Sequence, residues 1–230
     1  MRPYKIAPED IGDRQQHFTG MPTKHEKPSE KKVTFIGHSY VRDLARQNFE
    51  VLLRDTLVTP QYIAVPGGTF KTFLKNPHYF DTLRHTQPEI VVVLLGGNDI
   101  KSEAGLQKTF EECSQFYGIL RESVPCSTIV ASQVETRFYK PNNRFGCPTH
   151  HRFDQLRRRF NKFLERHIAH DVILEIEGYL DDKNDYRDGV HLSHPGFMKY
   201  LGIIQLTVTF AEDRIHIHKN HGARKDQARY

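Results

Sequence analysis

Tryptophan is absent from this chain and cysteine is scarce: Cys113, Cys126 and Cys147 are the only three in 230 residues. An odd count without CxxC spacing argues against a disulfide framework and makes a reducing interior the default compartment. Long apolar runs are missing too. The longest, residues 90–95, is strand-sized and far below the ~18 residues of a membrane span. No apolar core of signal-peptide length stands near the N-terminus, so a soluble, intracellular protein is expected. Neither sign of charge dominates, with 33 basic and 28 acidic residues and a net charge of +5. That balance permits loose attraction to polyanions without defining a nucleic-acid binder. Hydrophobic residues make up 37% of the chain, low for a compact domain, so part of the length is expected to be solvated tail.

What is present falls into three parts. Residues 1–31 are polar, rich in Pro, Lys, Glu and Gln, and without sustained period; they read as a disordered arm. Residues 32–211 read as one domain and residues 212–230 as a basic tail carrying Arg214, Lys219, Arg224, Lys225 and Arg229. Inside the domain, β-type runs fall at residues 33–36, 61–65, 89–95, 126–132 and 171–176. Between them lie helical patterns. The first starts at Ser39 or Tyr40 and takes in Val41, Leu44, Phe49, Leu52 and Leu53; the last runs from Pro195 to about Phe210. Strict alternation of strand and helix predicts a three-layer α/β/α sandwich around a parallel sheet of about five strands. In such folds the ligand site lies outside the carboxyl ends of the strands.

Four short segments sit at those ends or on the loop after the last strand: Gly37-His38-Ser39, Pro66-Gly67-Gly68, Gly96-Gly97-Asn98-Asp99, and Asp188-Gly189-Val190-His191. Together they supply the parts of a hydrolytic site. A serine hydroxyl is a poor nucleophile until a base takes its proton. Ser39 is the candidate nucleophile and His191 the base. Asp188, three residues earlier, can hold the second imidazole nitrogen and fix the tautomer. The oxyanion formed by attack on an ester carbonyl needs preorganised donors, each worth about 3 kcal/mol in the transition state. The backbone N–H of Ser39, that of Gly67 and the side-chain amide of Asn98 are the candidates, with Gly68 the competitor of Gly67. Asp99 is assigned to loop structure. His38, Tyr40, Gly68 and His194 are placed close to the substrate.

These four blocks, in this order, resemble the SGNH (GDSL-type) hydrolases over residues 32–211. The resemblance implies a flavodoxin-like strand order and serine esterase or acetylhydrolase chemistry without a metal; no cofactor is expected. His38 departs from the family pattern, which has Asp in Gly-Asp-Ser. The phrase Gly-His-Ser-Tyr-Val-Arg-Asp-Leu, residues 37–44, is also similar to SGNH-like domains of animal retroelements. That narrower likeness raises an alternative, an accessory module that engages nucleic acid. Its candidate contacts are Arg157, Arg158 and Arg159 on a basic amphipathic helix, otherwise a solvated face, together with the basic tail. His216, His218 and His221 have loosely metal-like spacing, but they sit in a tail read as lacking partner ligands, and no metal site is expected. The segment from Arg137 to His151, with Phe138, Tyr139 and Phe145, has the length of a lid or substrate-binding loop and reads equally as a simply exposed one.

Overall fold

The first strand, β1 (Val33–Gly37), is buried at all five positions and runs into α1 (Ser39–Arg46) through the single residue His38. The computed structural model describes residues 32–53, 56–139 and 149–227, with 216–227 as backbone alone. The expected N-terminal arm, Phe145, Cys147 and Arg229 lie outside the described residues. After α1 come a hairpin of β2 (Val51–Leu53) and β3 (Thr56–Val58), then β4 (Gln61–Ala64), α2 (Phe70–Leu74), α3 (His78–Thr86) and β5 (Ile90–Leu94). The chain continues through α4 (Glu103–Ser123), β6 (Thr128–Ser132), α5 (His150–His167), β7 (Val172–Leu174), a 3-10 turn (Lys183–Asp185) and α6 (His194–Gln227).

Five strands form one parallel sheet in the order β4-β1-β5-β6-β7. Counting only these strands, the order is 2-1-3-4-5, the flavodoxin-like arrangement, and the chain changes direction across the sheet on either side of β1. Both faces are covered, which is why the strands read as continuous apolar runs. Val91 and Val93 of β5 pack with α2, α3, α4 and α5, through Phe70, Phe80, Phe116 and Phe160 among others. Ile90, Val92 and Leu94 point the other way, onto α1 and α6 through Val41, Leu44, Tyr200 and Ile204.

Two expectations need correction. The first helix does not reach Leu53. It stops at Arg46, and Asn48 takes a left-handed φ of 48° two residues later; Asn tolerates that conformation better than most residues because its short side chain can bond locally. Val51 and Leu53 then face inward and Leu52 outward, a period of two that three apolar residues could not distinguish from a helical one. The last helix extends to Gln227, well past its expected end near Phe210, so most of the basic tail continues α6.

Candidate active site

The carboxyl ends of β1, β4 and β5 converge where the strand order reverses. A cavity of about 340 Å³ opens there, lined by Ser39, Gly67, Asn98 and His191 among others. Ser39 is the first residue of α1, placed by the turn after β1, where the His38 N–H donates to Leu94 O of the neighbouring strand (3.2 Å). Gly67 and Asn98 follow β4 and β5. Gly67 has φ 73°, open to glycine without a Cβ penalty. The Gly68 N–H donates back to Val65 O (2.8 Å) and Gly68 is buried. Of the two glycines only Gly67 lines the cavity.

His191 sits on a loop fastened at several points. Asp188 Oδ1 accepts from the backbone N–H groups of Val190 (2.9 Å) and His191 (2.7 Å), while Oδ2 binds His191 Nδ1 (2.8 Å). The Tyr40 hydroxyl donates to Val190 O (2.7 Å), Phe138 N–H to Gly189 O (2.7 Å) and Arg187 N–H to His191 O (2.9 Å). Partial burial works to raise the Asp188 carboxyl, but the bonds from the His191 N–H, its ring and the Val190 N–H outweigh it and hold the group at about 2. With Nδ1 on an ionised carboxylate, Nε2 is the nitrogen left to take a proton from a nucleophile. Ser39 and His191 line the same cavity without a direct hydrogen bond between them. Such contacts are commonly long in ligand-free enzymes and tighten when substrate binds.

Asn98 is held at both ends of its carboxamide. Its Nδ2 donates to Gly68 O (3.1 Å) and its Oδ1 accepts from Arg137 Nη2 (3.3 Å), which fixes the amide orientation and leaves the second Nδ2 hydrogen available. Arg137 is nearly fully buried and lines the cavity. It also donates to the Tyr139 hydroxyl (2.9 Å) and faces Glu135 (3.6 Å). A Cβ on Gly97 would lie 2.2 Å from Arg137 Nη2, so that glycine is what lets the guanidinium approach. In the sequence Arg137 stands out only as the first residue of a lid or binding-loop segment. The signal that could have singled it out is its position after β6, at the same sheet edge as the other segments.

Several candidates sit elsewhere. His38 is buried and caps α1, its Nδ1 accepting from Tyr40 N–H (3.4 Å). Burial, then the charges of Arg137 and His191, push it down to about 3, so it is a neutral structural histidine. Tyr40 and His194 line a separate cavity of about 290 Å³, on the other side of α1 and of the His191 loop. Asp99 Oδ1 accepts from Phe70 N–H (3.0 Å) at the start of α2, in keeping with a loop role. The arginine run is only partly a solvated face: Arg158 and Arg159 are exposed, and Arg157 is not. Arg157 is among the largest fully buried side chains, bound to Asp154 and Val134 O. Arg158 pairs with Asp154 and Glu177, and Arg159 with Glu103. The side chains of His216, His218 and His221 lie outside the described residues. Among those described, no group of three or more ligating side chains could hold a metal, and no helix is long and apolar enough to cross a membrane.

Asp99 also carries a measurable consequence. Burial raises its carboxyl to about 7, against the opposing Phe70 hydrogen bond, and Oδ2 is buried without a partner. A carboxyl raised on folding contributes stability that is complete below its unfolded value near pH ~4 and lost as pH climbs through about 7. Asp99→Asn keeps the Oδ1 acceptor and removes that loss, so it should stabilise the fold by about 1–3 kcal/mol at pH 8 and give no advantage at pH 4. Urea unfolding at the two pH values checks this; equal effects at both would refute it.

No family model matches the sequence, and no curated protein matches it. Solved structures do. A proposed acylhydrolase from Bacteroides fragilis superposes with a TM-score of 0.58 at 17% identity, covering 81% of this chain and 90% of that one. A carbohydrate esterase of family 3 from Talaromyces cellulolyticus gives 0.56 at 14% identity, over 80% and 99%. A GDSL-like lipase from Bacteroides thetaiotaomicron gives 0.54 at 18% identity, over 80% and 89%. The fold is that of the SGNH (GDSL-type) hydrolases, as the four sequence blocks had implied.

Proposed function

We propose that the protein is a serine hydrolase of small acyl or acetyl esters. The observation that carries this is the one cavity lined by Ser39, Gly67, Asn98 and His191, with Asp188 bonded to the far side of the imidazole. Ser39 Oγ attacks the ester carbonyl carbon while His191 Nε2 takes the hydroxyl proton. The oxyanion forms between the N–H groups of Ser39 and Gly67 and the Asn98 amide. As the carbonyl reforms, the alkoxy C–O bond breaks and the imidazolium returns the proton to the leaving alcohol. Water, deprotonated by the same nitrogen, then cleaves the acyl-enzyme, releasing the carboxylic acid and restoring Ser39. The Asp188 carboxylate steadies the imidazolium in both steps. The names of the structural neighbours, esterases and acylhydrolases, support the reaction class. Of the arginine run offered to nucleic acid, Arg157 is buried on Asp154 and only Arg158 and Arg159, beside Glu177 and Glu103, reach solvent, so the cavity lined by Ser39 and His191 makes ester hydrolysis the better supported reading.

A fluorophosphonate probe tests this directly. Ser39 should become covalently labelled, with the adduct mapped to its peptide, and Ser39→Ala should not label. A folded protein that never labels and cleaves no short-chain aryl ester would remove the proposal.

A further inference from the structure

The cavity beside Ser39 has an uneven charge. Three cationic side chains line it, Arg42, Lys101 and Arg137, and among the described residues no carboxylate does. Their commitments differ. Arg137 gives one Nη to Asn98 and the other to Tyr139, and its Nε is buried without a hydrogen-bond partner, so the guanidinium is held in the wall by its Nη groups. Arg42 binds Asp43 Oδ1 through Nε (3.0 Å) and Nη2 (2.8 Å), which leaves Nη1 for another acceptor. Lys101 is exposed and has no ion-pair partner among the described residues. The rest of the wall is neutral, including Pro66, Ile100 and Val190. A small pocket with a neutral lining and two available cations at its side suits a ligand with one charged end. Such donors reach anionic oxygens by charge-assisted hydrogen bonds, roughly twice as strong as neutral ones.

We propose that this cavity takes an ester bearing an anionic oxyacid group, carboxylate or phosphate, held by Lys101 Nζ and Arg42 Nη1 while the acyl carbon lies at Ser39. The assignment rests on the reading of Ser39 as nucleophile and narrows its substrate class. The anion is part of the substrate itself, so the two cations contribute to its binding and orientation and leave the proton transfers at His191 as they are.

Three acetyl esters of similar size separate the cases: methyl 4-acetoxybenzoate, which is neutral, 4-acetoxybenzoate, and 4-acetoxyphenyl phosphate. With the full chain at low salt, one or both anionic esters should show a KM about tenfold lower than the neutral one, as expected for hydrogen bonds to a charged group. The two anionic arms report whether carboxylate or phosphate is preferred. The preference should shrink in added salt, which screens exposed charges, and the anionic-to-neutral ratio should fall in Lys101→Ala and again in the Lys101→Ala, Arg42→Gln pair. Equal or lower KM for the neutral ester, or a preference that survives the double substitution, overturns the proposal. Calorimetry on Ser39→Ala keeps the two readings apart. If the unsubstituted protein cleaves none of the esters but Ser39→Ala binds the anionic ones selectively, the cavity assignment stands and the hydrolase reading falls. No selective binding by Ser39→Ala overturns the cavity assignment.

Discussion

Ser39→Ala and His191→Ala are each expected to lower kcat/KM on an aryl acetate by about 10⁴-fold or more, and the double variant by little beyond either alone. Nucleophile and base act as one unit. Without the base the hydroxyl is not activated, and without the hydroxyl the base has nothing to activate. Whatever rate remains comes from the oxyanion donors and from substrate binding, so it should be shared by all three variants. Asp188→Asn is the more discriminating change. It is nearly isosteric, and its Oδ1 can still accept from the Val190 and His191 N–H groups that now bind Asp188 at 2.9 and 2.7 Å. The loop is therefore expected to keep its shape. The amide that replaces Oδ2 donates where the carboxylate accepted from Nδ1, which favours the tautomer with its proton on Nε2. That nitrogen can then no longer take the Ser39 proton, and kcat should fall by about 10³–10⁴-fold with a smaller change in KM. A loss under about tenfold would show that Asp188 serves only to shape the loop.

Much of this arrangement was legible in the sequence because it is local. Residues 33–36 and 90–95 announce buried parallel strands by continuous apolar character, and the Gly-rich segments after them mark the turns where ligands approach. Asp188 and His191 lie three residues apart, so one turn brings them together. The sequence does not separate Gly67 from Gly68; the Gly68 N–H turned back on Val65 O, with Gly67 lining the cavity, is visible only in the fold. The departures come from information that short windows do not contain. Phe49, Leu52 and Leu53 fit a helical period and a strand period equally; the left-handed Asn48 and the packing of Val51 and Leu53 against the body decide for the hairpin. Arg157 reads as solvated with the rest of its run until Val134 O, far away in sequence, is brought to it, while Arg158 and Arg159 stay exposed. Tyr40 directly follows Ser39 and His194 lies three residues after His191, yet both line the next cavity; for Tyr40 this is because successive residues at a helix start do not share a direction.

Arg137 was the least legible of the cavity residues, and its replacement should have the largest effect on stability. Arg137→Met removes the cation that, among the described residues, alone pairs with buried Glu135, whose Oε1 makes no hydrogen bond of its own. Breaking a buried pair by deleting one partner costs about 3–5 kcal/mol, because the other charge stays behind in a poor solvent. Against the 5–15 kcal/mol typical of a whole domain, that loss should lower the urea midpoint markedly. The same change releases Asn98 Oδ1 and the Tyr139 hydroxyl. Stability and chemistry can be separated by pairing it with Glu135→Gln. The double variant no longer buries an unpaired charge, so it should regain much of the lost stability. It still lacks the guanidinium that holds the Asn98 carboxamide, so kcat should remain about tenfold or more below the unsubstituted protein, with KM less affected. Recovery of both midpoint and kcat in the double variant would make Arg137 a structural residue only. Recovery of the midpoint alone identifies it as the residue that positions the oxyanion donor.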